Sequence, residues 1–138
     1  MKLPSQDTTI WVAIADDHLM VRSALKRYLE QEPDIRWAGE ASDGEGAIIL
    51  VQTHHVDVML LDLAMPGLGG LVALPQIRAA DPGVRVIVLS AHSSSDVVRE
   101  AMREGASAFL EKVCEPSQIV DTIRSVLRFP SAMNDPGP

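Results

Sequence analysis

Val56-Asp57-Val58-Met59-Leu60-Leu61-Asp62-Leu63-Ala64-Met65-Pro66-Gly67-Leu68-Gly69-Gly70, residues 56–70, is the stretch on which the fold turns. A short aliphatic run stops at one carboxylate, and a loop rich in Pro and Gly follows. The run is apolar at nearly every position instead of every second one. Such a strand is buried on both faces, the pattern of a parallel sheet covered by helices.

The same unit recurs on either side. Upstream, Ile10-Trp11-Val12-Ala13-Ile14-Ala15 ends at Asp16-Asp17, and residues 18–31 carry Met20, Ala24, Leu25, Tyr28 and Leu29 as an apolar helical stripe that stops before Pro33. Residues 35–41 read as a second strand, and Ser42 with Glu45 as a capping box opening a helix that runs to near Thr53. The third strand is Val56 to Leu61, ending at Asp62. After the 64–70 loop a helical pattern continues to near Ala80. Pro75 has no amide hydrogen and crowds a helix interior, so this helix is expected to start late or to be distorted in its first turns. Residues 84–89 form strand four, Ser94 to Glu104 a helix, Ala106 to Leu110 strand five. Pro116 to Arg128 is a last helix, with Pro in its first turn and Ile119, Ile123, Val126 and Leu127 on one face.

Five βα units predict an α/β protein with a doubly wound, five-stranded parallel sheet. Right-handed crossovers leave the strand order 2-1-3-4-5, and the site of such a sheet lies at the carboxyl ends of the strands, between strands one and three.

The chain has 138 residues, 46% of them hydrophobic and 22% charged, enough for one domain with a substantial core. Its expected organisation is a flexible segment over residues 1–9, the domain over 10–128 and a Pro-rich linker over 129–138. A net charge of −7 repels phosphate backbones, and an aromatic content of 4% offers no base-stacking surface, so direct DNA binding is not expected. The longest uncharged stretch, residues 63–77, is broken by Pro and Gly, which excludes a helical membrane span. A lone Cys114 and an amino terminus without an apolar secretion segment fit a cytoplasmic protein.

At the strand ends stand Asp16 and Asp17, Asp62, Ser90 and Lys112. Three carboxylates gathered within a few Å repel by roughly a few kcal/mol per close pair at an effective dielectric near 20, unless a cation intervenes. A few carboxylates, a backbone carbonyl and room for water suit Mg²⁺, which favours phosphate as a further ligand. Lys112 adds a point positive charge and Ser90 a hydroxyl donor beside it, so the expected guest is a phosphoryl group. An aspartate can receive that group covalently.

Asp16-Asp17-His18, Leu61-Asp62-Leu63-Ala64-Met65-Pro66-Gly67, Leu89-Ser90-Ala91 and Ala108-Phe109-Leu110-Glu111-Lys112 resemble the receiver domain of two-component response regulators over residues 10–128. Asp-Asp-His-x-x-Val-Arg (16–22), Glu-Pro-Asp-Ile (32–35) and the run from Asp81 to Ala91 are similar to receivers that carry a LuxR-type helix-turn-helix output. The resemblance implies a flavodoxin-like sheet, with Asp62 as phosphoacceptor. Asp16, Asp17, Asp62 and the Ala64 backbone carbonyl would hold Mg²⁺, and Lys112 and Ser90 would bind the phosphoryl oxygens. Ser90 with Phe109 would be the switch pair. It also implies a sensor histidine kinase as donor, a changed helix 4, strand 5 and helix 5 surface, and a phosphorylation-dependent homodimer. DNA would be reached only through an output domain beyond this chain. Such a chain is a switch, not an enzyme in the ordinary sense: it catalyses only its own phosphorylation and dephosphorylation. Only ten residues follow Arg128, so a fragment of a transcription factor is expected ahead of a stand-alone receiver.

Gly69, Ala64 and Pro75 depart from the family pattern and bear on loop geometry and phosphoryl lifetime. A haloacid-dehalogenase-like phosphatase also uses a strand-end Asp and Mg²⁺, but needs a second acid where Ala64 stands. A flavodoxin-like nucleotide-binding module finds no support in Asp43-Gly44-Glu45-Gly46, because Ile49 occupies the place of the third glycine. His18 reads as a structural or docking residue, His54 and His55 as solvated, and Cys114 as an ordinary loop residue. His92, two beyond Ser90, is placed to approach the phosphoryl site.

Overall fold

The computed structural model describes residues 9–91 and 94–128. The 1–8 and 129–138 segments and His92 lie outside the described residues. Ten elements alternate strictly: β1 (Ile10–Ala15), α1 (Leu19–Leu29), β2 (Ile35–Ala41), α2 (Gly44–Thr53), β3 (Val58–Asp62), α3 (Gly70–Ala80), β4 (Arg85–Ser90), α4 (Ser95–Arg103), β5 (Ala108–Glu111) and α5 (Pro116–Arg128). The strands pair in parallel in the order β2-β1-β3-β4-β5, as the alternation predicts.

Every residue of β3 is buried. Side chains along each strand alternate between two cores. Ala13, Ala15, Met59 and Leu61 pack under Ala47, Leu50 and Val51 of α2, Ala73, Leu74 and Ile77 of α3, and Ala101 of α4. Val12, Ile14, Val58 and Leu60 face Leu29 of α1 and Ile119, Val120, Ile123 and Val126 of α5 on the other side. The layers are therefore α2, α3 and α4 on one face and α1 and α5 on the other.

Several local expectations are corrected. Of the α1 stripe only Leu29 is buried, and Met20 is 85% exposed. The first turn of α1 starts at the carboxyl rim of the sheet, where no strand lies beneath it. The α2 cap is Asp43, whose carboxylate accepts from the Gly46 N–H at 2.7 Å, and not Ser42. Asp57 is not part of β3: its carboxylate accepts the Trp11 N–H at 2.8 Å, which delays the strand to Val58. Strand five starts at Ala108, two residues later than expected.

The α3 helix does not start late. It begins at Gly70, whose amide donates to Leu63 O at 3.2 Å, and it continues through Pro75 to Ala80. Proline removes one interior bond, to the carbonyl four residues back, and burial of Ala73, Leu74 and Ile77 offsets that loss. Gly70 itself cannot carry a side chain, since a Cβ there would lie 2.3 Å from Asp62 O. The close approach of α3 to the end of β3 fixes where Asp62 sits.

Candidate functional site

The carboxyl ends of β1, β3, β4 and β5 meet at one place. Asp16 and Asp17 follow β1, Asp62 closes β3, Ser90 closes β4 and Lys112 follows β5. Asp16 and Asp62 are fully or almost fully buried and Ser90 is 8% exposed, so these polar groups are inside the protein.

Lys112 Nζ joins the two buried acids, 3.2 Å from Asp62 Oδ2 and 2.9 Å from Asp16 Oδ2. The Asp62 contact is a hydrogen bond. At Asp16 the ammonium and Oδ2 form a close ion pair in the interior, where the carboxylate has lost water. Asp62 Oδ1 accepts the Ala64 N–H at 3.1 Å. Asp16 Oδ1 accepts the His18 backbone N–H at 2.8 Å and lies 3.0 Å from His18 Nδ1, while the same ring nitrogen is 3.2 Å from Asp17 Oδ1.

The electrostatics follow from burial. Loss of water pushes the Asp62 carboxyl above the ordinary carboxylate range and the neighbouring Asp16 charge adds to this, against the Ala64 N–H and Lys112. Burial pulls the Lys112 ammonium down, but its contacts with Asp16 and Asp62 outweigh it and hold it above the usual lysine range. Two buried carboxylates share one ammonium, and the exposed Asp17 stands beside them.

This donor set fits a hard divalent cation. Ligand atoms of Asp16, Asp17, His18 and Asp62 lie within 4.8 Å of one another, and the one ammonium among them leaves the three carboxylates with excess negative charge that a cation would neutralise. Mostly oxygen donors, with Asp17 open to water, suit Mg²⁺ better than a soft metal.

The site residues anticipated from sequence thus converge, with two qualifications. Ala64 is exposed at the rim and meets Asp62 through its N–H. Phe109 does not belong to the polar cluster: it is half-buried on β5, opposite Val88 of β4. Cys114 is half-buried, and burial pushes its thiol up, with Glu115 and Glu111 adding to the shift, which favours an unreactive thiol. His54 and His55 are exposed, His55 pairing with Asp57 at 3.0 Å. Sequence reasoning missed Gly70 and Arg22. The Arg22 guanidinium donates to Asp16 O at 2.7 Å and to Glu40 Oε1 at 2.6 Å. The motif that contains Arg22 was visible, but its distance to Asp16 was not.

The family model described as "Response regulator receiver domain" matches residues 12–124. Response regulator UvrY of Escherichia coli (strain K12) is 40% identical over 115 residues, covering 83% of this chain and 53% of UvrY. The signal receiver domain of the putative response regulator NarL from Mycobacterium tuberculosis superposes with a TM-score of 0.83 at 32% identity, covering 88% of this chain and 98% of that one. A two-component response regulator of the LuxR family from Aurantimonas sp. SI85-9A1 gives 0.82 at 31% identity, covering 87% and 86%. The chain spans about half the length of the curated relatives it matches. Among the described residues no helix is long and apolar enough to cross a membrane.

Proposed function

Because the chain belongs to the response regulator receiver family, we propose that it is a phosphoacceptor switch in which Asp62 receives a phosphoryl group from a sensor histidine kinase. One observation carries the reading: a buried Asp62 sits at the sheet's carboxyl end, hydrogen-bonded to Lys112 at 3.2 Å, and shares that ammonium with a second buried acid, Asp16, at 2.9 Å.

Asp62 attacks phosphorus with a carboxylate oxygen. The new bond is an acyl phosphate P–O bond, and the bond that breaks is the P–N bond to the kinase imidazole, which leaves with the electron pair. Lys112 moves its charge from the Asp62 carboxylate to the equatorial oxygens, and Ser90, which ends the neighbouring strand β4, offers them its hydroxyl. Asp16, Asp17, Asp62 and the Ala64 carbonyl would hold Mg²⁺, which supplies neutralisation of phosphoryl charge. Between α1 and α5, beside Lys112, a cleft of about 440 Å³ is lined by Val21, Leu25, Val113 and Ile119. Val113 of its lining is exposed, and the cleft offers an apolar landing surface for kinase helices.

Output through transcription, a phosphorylation-dependent homodimer and a cytoplasmic location complete the reading. They rest on the LuxR-family resemblance, and the net charge of −7 disfavours direct contact of this chain with a phosphate backbone.

Incubation with acetyl phosphate and Mg²⁺ should add one hydroxylamine-labile phosphoryl group, seen by intact mass, and Asp62→Asn should add none. Asp17→Ala should remove Mg²⁺ binding and most of the transfer. Normal incorporation in Asp62→Asn would refute the acceptor assignment. Steady turnover of acetyl phosphate without a stable adduct would favour a phosphatase instead.

A further inference from the structure

We infer that Arg22 is a positioning residue that orients the Asp16–Asp17 carboxylate pair for its cation, an inference that rests on the phosphoacceptor reading above. Asp16 lies just past the end of β1, where its carbonyl has left the strand and still is buried. A buried carbonyl needs a donor. Arg22 Nη1 supplies it at 2.7 Å, reaching back from the end of the first turn of α1. On its other side the Asp16 N–H donates to Ala41 O of β2 at 3.0 Å. Both peptide groups of Asp16 are therefore pinned, one by the neighbouring strand and one by Arg22.

The second of these peptides joins Asp16 to Asp17. Its plane sets where the Asp17 Cα stands and in which direction its carboxylate leaves. Little else directs that carboxylate: it is 31% exposed, and it meets the His18 ring, itself 62% exposed, at 3.2 Å. The guanidinium is fixed in turn. Its side chain is only 14% exposed, and Nε donates to Glu40 Oε1 at 2.6 Å near the end of β2. One planar group thus ties α1, the β1 end and the β2 end together, with donors in two directions that a lysine ammonium cannot reproduce. Groups that orient metal ligands in this way commonly change metal affinity by about tenfold or more when removed.

The test uses the full chain with Arg22→Met, Arg22→Lys and Glu40→Gln. Mg²⁺ is titrated while the amide resonances of the site are followed by NMR, and acetyl phosphate transfer is measured across Mg²⁺ concentrations. Arg22→Met should raise half-saturating Mg²⁺ about tenfold in both experiments, and the transfer rate at saturating Mg²⁺ should return to the wild-type value. Arg22→Lys should fall between, and Glu40→Gln, which keeps an acceptor for Nε, should change little. A residue that only stabilises the fold would not produce this split. Unchanged half-saturation in Arg22→Met with native circular dichroism would overturn the inference, as would a lowered rate at saturation with unchanged affinity. Should Arg22→Met fail to fold, Arg22→Lys decides: native dichroism with wild-type half-saturation overturns it. A wild-type chain that binds no Mg²⁺ is a different result and refutes the phosphoacceptor reading itself.

Discussion

Asp62 is constrained from both of its ends. Its carboxylate is held by Lys112 and the Ala64 N–H, and its main-chain carbonyl faces Gly70 so closely that a Cβ there would come within 2.3 Å of Asp62 O and 2.8 Å of Leu63 Cα. These are backbone neighbours, which cannot rotate away as a flexible side chain could. Gly70→Ala should therefore lower stability by about 1–3 kcal/mol and slow acetyl phosphate transfer, because relief of the clash shifts Asp62. A Gly70→Ala chain with wild-type thermal unfolding and transfer rate would show that α3 adjusts without moving the site. Ala64 is the other residue whose size matters. It is exposed beside Asp62, and in the proposed reaction its methyl group blocks less of the water's approach to phosphorus than a longer side chain would. Ala64→Arg should slow loss of the phosphoryl group in Mg²⁺ without slowing its addition, measured as adduct decay by mass spectrometry, whereas equal or faster decay would mean that access at this position is not limiting. Asp16, Asp17, Asp62, Ser90 and Lys112 were legible in the sequence because each polar residue stands where an apolar strand stops. Gly70 and Arg22 were not, since their roles lie in distances between segments that no local pattern encodes.

At the scale of elements, the joint between α5 and the loop entering β2 illustrates how charge holds a helix in place. Arg124 donates from Nε and Nη2 to both oxygens of Asp34, at 3.0 and 2.8 Å, and from Nη2 to Glu32 at 2.7 Å. The Arg124 hydrogen bond holds the Asp34 carboxyl below its ordinary range, and the Asp34 and Glu32 partners hold the guanidinium above its own. A depressed carboxyl stabilises the folded chain fully above its unfolded value of 3.8, and that contribution is lost as pH falls through the lower folded value. Arg124→Ala should then cost about 1 kcal/mol near neutral pH, a figure kept small because the side chains are about a third exposed to solvent. The deficit should narrow as pH drops below 3.8. Denaturant midpoints of wild type and variant at several pH values check this, and a deficit independent of pH would assign the loss to packing of the arginine stem. Every element was legible in the sequence, most strands as short continuous apolar runs and the helices as apolar stripes between turn residues. The errors fall where a single contact overrides the pattern. Asp43 outcompetes Ser42 as the α2 cap, burial of its neighbours keeps Pro75 inside α3, and Met20 has the helical spacing of a core residue but no sheet beneath it.

Across the whole molecule the sheet links the acid cluster to its edge at β5 and the neighbouring α4. Asp62 ends β3 opposite Leu89, Ser90 closes β4 opposite Glu111, and Val88 is opposite Phe109, so β4 lies between the acceptor and β5. Lys112 is tied to the same strand by its N–H, which donates to Ser90 O at 2.9 Å. Beyond β5 the structure is lightly held: its residues are half-buried or exposed, and Ala101 is the one buried residue of α4. A phosphoryl group brings a charge of roughly −1.5 to −2 into this arrangement, in a chain whose net charge is already −7. In the proposed switch the response is a turn of the Ser90 hydroxyl toward the new oxygens, not rearrangement of the fully buried β3. Phe109, half-buried against the core cluster that includes Ala101, carries the proposed change to α4. Ser90→Ala removes the hydroxyl and leaves Asp62, Lys112 and the acid pair in place. The variant should accept a phosphoryl group from acetyl phosphate, while the amide shift changes over residues 95–111 shrink toward the unphosphorylated spectrum. Phe109→Leu should blunt the α4 shifts and spare those at residues 62–64. Undiminished changes over α4 and β5 in phosphorylated Ser90→Ala would break the coupling at its first link and leave Lys112 as the group that reads the phosphoryl state.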